Sequence, residues 1–105
     1  MNISFEEFIR RQGIVPQKIS PDELAWKIDD INPILQWLSA NNKVVLGGNV
    51  LDANKEYTYD NWYYNPDDTC PSLTNVKNSI EKASEYISNY ITINGSNYYI
   101  VLVFE

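Results

Sequence analysis

The apolar positions of this chain recur with two different periods, and the change between them divides it into elements. From residue 2 to residue 12, Phe5, Phe8 and Ile9 share one side of a helical wheel. Ser4 and Glu7 have the spacing of a capping box, and Gly13 suits the helix end. Ile14, Val15 and Pro16 read as an extended link, because the residue before a proline avoids helical angles. Ser20, Pro21 and Glu23 form a second helix start, followed by Leu24, Ile28 and Ile31 at helical spacing. Asn32-Pro33 ends that helix and opens the next, which carries Ile34, Leu35 and Leu38 to about residue 41. One helix kinked at Pro33 is the alternative.

At residue 43 the period changes to two. Residues 43–46 are a β-branched run, and Gly47-Gly48 marks a bulge or a close backbone approach before residues 49–51 continue the strand. Asp and Asn in residues 52–55 suit a turn. Residues 56–64 form a second strand. Tyr57, Tyr59, Asn61 and Tyr63 share one of its faces, and Thr58, Asp60, Trp62 and Tyr64 the other. Neither face is simply apolar. After a loop at 65–72, residues 74–90 carry the stripe Val76, Ile80, Ala83, Ile87 and Tyr90 of an amphipathic helix. Residues 91–93 and 98–104 then read as strands around the hairpin signal Asn94-Gly95. The last is apolar on both faces and belongs inside the sheet. The pattern predicts an α+β fold: an antiparallel sheet of about four strands, N-terminal helices, and one long helix between the second and third strands. At 105 residues the chain forms one domain, spanning 1–105.

Composition removes several function classes. There is no histidine, so the commonest general base and zinc ligand are absent. The single cysteine, Cys70, allows no internal disulfide and no thiolate cluster, and no histidine is available to activate it. The net charge of -6 lacks the basic footprint of a nucleic-acid binder and suits a basic protein partner. The acidic start has no apolar leader and no run approaches a membrane span, so a cytoplasmic setting is expected. Asp67-Asp68 lacks the glycine and further oxygen ligands of a calcium loop, and Gly47-Gly48 lacks the residues of a phosphate loop. No catalytic residue, metal or cofactor is expected.

The distinctive chemistry is the run TYDNWYY, Thr58 to Tyr64. Tyrosine and tryptophan offer rigid surface with a polar tip and are enriched at binding hot spots. Asp60 and Asn61 add charge and hydrogen-bond direction. This run, together with VLGGNVL (Val45 to Leu51) and the helix end SIEKASEYISNY (Ser79 to Tyr90), resembles the Immunity protein 40 family of bacterial polymorphic toxin systems. The similarity covers about residues 40–104. An aspartate commonly follows the glycine pair in that family; Asn49 here keeps the hydrogen-bonding shape and loses the charge. The resemblance implies a protein that does no chemistry and binds its own toxin, often over the active site, inside the producing cell. The expected toxin contacts are Tyr59, Asp60, Asn61, Trp62 and Tyr63, with Asn49 and Asp52 beside them. The alternative is a small-molecule or carbohydrate-binding module that stacks its ligand on the same rings, which requires a concave pocket. An enzyme using Asp60 or Asp67 as a base has no activating arrangement to support it.

Overall fold

In the computed structural model, which describes residues 3–105, the last strand of the chain is the centre of the sheet. This strand, β5 (Tyr99–Phe104), is flanked on one side by β3 (Val45–Leu51) and β4 (Tyr57–Tyr63). On the other side lie β2 (Glu23–Lys27) and β1 (Gln17–Ser20), so the five-stranded order is β1-β2-β5-β3-β4. All of the pairings are antiparallel. The apolar character of β5 on both faces follows from this position. Ile100 joins the main core and Val101 a smaller cluster on the opposite face.

Among the described residues three α-helices pack on the sheet: α1 (Phe5–Arg11), α2 (Ile31–Ala40) and α3 (Ser72–Asn94). Ser4 caps α1 as expected, accepting the Glu7 N–H at 3.1 Å, and Gly13 follows its end with φ 71°. The expected start at Asn2 lies outside the described residues. Ile31, Ile34, Leu35 and Leu38 of α2 are buried in one core with Ala83, Ile87 and Tyr90 of α3 and the sheet. Pro33 sits in the first turn of α2, where its missing N–H has no intrahelical acceptor to lose. Buried Ser79 donates to the Val76 carbonyl and accepts the Val45 N–H at 2.9 Å, tying α3 to the start of β3.

Two expectations about this architecture are corrected. The helix read from Ser20 onward is a hairpin, with β1 and β2 joined at Pro21-Asp22. Ser, Pro and Asp serve tight turns as well as helix starts, and the register Lys18↔Leu24 and Ser20↔Glu23 decides for the turn. The strand at 91–93 is instead the last turn of α3, and Asn94-Gly95 ends that helix. Gly95 takes φ 86° and its N–H returns to the Ile91 carbonyl at 2.7 Å, which is the other use of glycine after a polar residue. The sheet therefore has five strands, and the long helix joins the fourth to the fifth.

The face of the sheet away from the helices is partly covered by the chain itself. The Tyr57 hydroxyl on β4 donates to the Glu23 carboxylate on β2 at 2.8 Å. In a flat sheet those strands would lie about 14 Å apart, three spacings of ~4.8 Å. The contact requires the sheet to coil, bringing the β1–β2 hairpin over this face. Ala25, Leu51 and Val101 are buried there, with Ile19 and Tyr99 packed against them. The remainder of the face, toward Gly47 and Tyr63, is left open.

Candidate functional site

β3 and β4 meet at the glycine pair. The registers Gly47↔Tyr63 and Gly48↔Trp62 set each glycine opposite a large ring. A Cβ on Gly48 would lie 2.6 Å from the Trp62 ring carbon Cζ3 and 2.9 Å from the Val101 carbonyl oxygen. A Cβ on Gly47 would overlap the Trp62 carbonyl oxygen, and its φ of 155° is unfavourable for an L side chain. Gly48 thus lets the Trp62 ring pack directly on β3, and Gly47 lets the β4 backbone come close, the approach that glycine permits.

This packing divides the residues of TYDNWYY between two sides. Trp62 is 5% exposed. It stacks on Tyr86 of α3 with ring centroids 4.7 Å apart. It therefore anchors β4 to the helices and leaves the set of surface contacts in which it was expected. On the opposite side, Asn61 pairs with Asn49, and Asn49 with Val101. Asn61 and Tyr63 are exposed and Asn49 is half-buried, so these three form a continuous polar and aromatic row on the open face. Tyr63 keeps 67% of its surface.

Tyr59 does not follow the simple alternation. Between Asn49↔Asn61 and Leu51↔Tyr57, β4 carries extra residues, and Tyr59 takes φ 70° at the resulting bulge. Its ring stands 88% exposed beyond the sheet edge. The bulge is held from within. Thr58 Oγ1 donates to the Val50 carbonyl at 2.9 Å and accepts the Asp60 N–H at 3.2 Å. β4 is an outer strand, and such a bulge also interrupts edge-to-edge pairing with other chains. Asp52 works in the turn: its Oδ1 accepts the N–H groups of Asn54 and Glu56. It shapes the β3–β4 connection and remains half-buried.

Asp60 is exposed, yet it accepts a 2.9 Å hydrogen bond from the hydroxyl of buried Tyr90. Burial, together with this carboxylate, pushes the Tyr90 phenol up from 10.0 to about 12. A raised folded-state value adds stability that is complete below the unfolded value and is lost as pH rises through the folded one. Alkaline unfolding should therefore draw on Tyr90 between about pH 10 and pH 12. In Tyr90→Phe that contribution to the pH dependence should vanish, at a cost near neutrality of about 1 kcal/mol for the lost bond. Urea melts across this pH range check both.

The base of β4 is fixed by a residue the sequence pattern did not single out. Asn75, buried on α3, accepts from the Tyr64 hydroxyl at 2.7 Å and from the Asp67 N–H at 2.9 Å, and donates to the Asp67 carbonyl. It binds the β4–α3 loop to the helix. Asp67 itself accepts the hydroxyl and N–H of Thr69, which hold its carboxyl below the usual range. No group of metal-ligating side chains is found among the described residues. No helix among them is long and apolar enough to cross a membrane.

The open row has little depth. The depression lined by Gly47, Asn49, Tyr63 and Val103 holds about 140 Å³. Small-molecule sites run from roughly 300 Å³ upward, so the stacking-platform alternative lacks its pocket at these rings. What this surface offers is an exposed edge with two protruding phenols and an asparagine pair, with the Asp60 carboxylate on the same strand turned toward Tyr90 of α3. Large flat contacts of that kind suit another protein.

The family model described as Immunity protein 40 matches residues 15–104. No curated protein and no solved structure matched the chain.

Proposed function

Because the chain belongs to the Immunity protein 40 family, we propose that it protects the producing cell by binding a cognate bacterial toxin and covering the toxin's working surface. The observation that carries this reading is the outward display of Tyr59, Asp60, Asn61 and Tyr63 on an outer strand whose inner side is anchored by Trp62. An anchored strand presents its contacts with little entropy left to lose on binding.

The contact set is Tyr59, Asp60, Asn61 and Tyr63, with Asn49 beside Asn61 and Asp52 in the adjoining turn. Trp62 supports it from below. The tyrosines supply buried anchors once the partner is seated. The acids Asp60, Asp52 and Glu56, within a net charge of -6, speed encounter with a basic surface. A toxin with a basic substrate cleft fits this polarity. The protein acts in the cytoplasm by binding alone, with no reaction and no cofactor.

The test is protection in cells. The cognate toxin domain is expressed under tight control, with and without this chain. Growth restored by the chain, and lost again with Tyr59→Ala combined with Tyr63→Ala at equal protein level, is the expected result. Cells that die equally with and without the native chain would refute toxin neutralisation.

A further inference from the structure

The second strand of the sheet does not stay beside its centre. β2 pairs with β5 at Lys27↔Tyr99 and Trp26↔Ile100, and the Ile28 N–H donates to the Tyr98 carbonyl at 3.0 Å. Toward Glu23, β2 keeps its register with β1, while β5 runs on to Phe104 against β3. Alternate residues of an antiparallel strand direct their backbone groups to opposite sides. Tyr98 and Ile100 direct theirs toward β2, so Leu102 and Phe104 direct theirs into the space that β2 has left. Glu105, one residue on, exchanges both backbone bonds with Val44 at the start of β3, in phase with this assignment.

That space is a cleft of about 460 Å³. Phe5, Leu24, Trp26 and Phe104 give it apolar walls, and exposed Asp22 adds a carboxylate, while that of Glu23 is taken up by the Tyr57 hydroxyl. Leu24 and Phe104 are among the exposed large hydrophobic residues. A bare strand edge between apolar walls is the arrangement used in strand addition, where main-chain bonds supply affinity and alternate side chains supply choice. The Asp22 carboxylate favours a cation on the incoming segment. A second copy of this chain would set its own net charge of -6 against that of the first, which disfavours self-pairing.

We infer that this cleft takes an extended segment of a partner protein, added as a strand to β5 and carrying a lysine or arginine toward Asp22. It lies across β5 from the β3–β4 surface, and it does not depend on the toxin reading of that surface.

The probe is a capped peptide of alternating valine and lysine, added at millimolar concentration to the whole protein while backbone amide exchange is followed by NMR. Exchange at Leu102 and Phe104 should slow by at least about fivefold, with the amides of β4 unchanged. The same peptide N-methylated on alternate backbone nitrogens should give no protection, and a version with glutamate for lysine should give none. Asp22→Asn, an exposed change that leaves the fold intact, should weaken the lysine peptide about threefold. Unchanged exchange at Leu102 and Phe104, or equal protection by the N-methylated or the glutamate peptide, would overturn the inference.

Discussion

Trp62→Ala should lower folding stability by about 3–5 kcal/mol, measured by urea denaturation. The ring is buried, stacks on Tyr86, and fills the space above Gly48. Removing it leaves a cavity between β4 and α3, lined by groups that cannot close over it, because Gly48 has no side chain to move. Domains are stable by only about 5–15 kcal/mol, so the variant should be close to unfolding at physiological temperature. Trp62→Phe should cost less. It keeps part of the stacking and also removes the indole Nε1 N–H, which is buried without a hydrogen-bond partner. A similar loss in both variants would mean that the indole's outer ring carries the packing.

Gly48→Ala should cost about 3 kcal/mol, the upper end of what overpacking usually costs. The added methyl would meet the Trp62 ring on one side and the Val101 carbonyl on the other. The ring could yield only by leaving Tyr86, and the carbonyl belongs to the central strand. The two losses should not add. In Gly48→Ala combined with Trp62→Ala the methyl enters the vacated space, so the double variant should be more stable than the sum of the singles allows. Additive losses would show that Gly48 and Trp62 do not share one packing site.

These two residues also show how far a sequence reading reaches. The period of two in residues 56–64 separates Trp62 from Tyr57, Asn61 and Tyr63, and the structure keeps that separation. Which side faces inward depends on Gly48 lying opposite Trp62, a register between strands that local periodicity does not carry. Tyr59 leaves the alternation because a bulge is set by long-range pairing. The helix stripe from Val76 to Tyr90 was legible because many positions agree on one period. The β1–β2 hairpin and the end of α3 were not, because Ser-Pro-Asp and Asn-Gly each serve two local structures and only tertiary pairing chooses. Asn75 and Ser79 read as ordinary polar helix positions. Their partners, the β4–α3 loop and the Val45 N–H, come from elsewhere in the chain.

The division of β4 into an inner anchor and an outer contact row is what the account depends on. A calorimetric titration of the cognate toxin into the native chain and into Tyr59→Ala and Tyr63→Ala, with a thermal melt of each, tests it most directly. Each exposed ring should contribute about 2 kcal/mol of binding, while the melting temperatures stay within a degree or so of the native value. Native affinity in both Tyr59→Ala and Tyr63→Ala would contradict the account and move the toxin to another face.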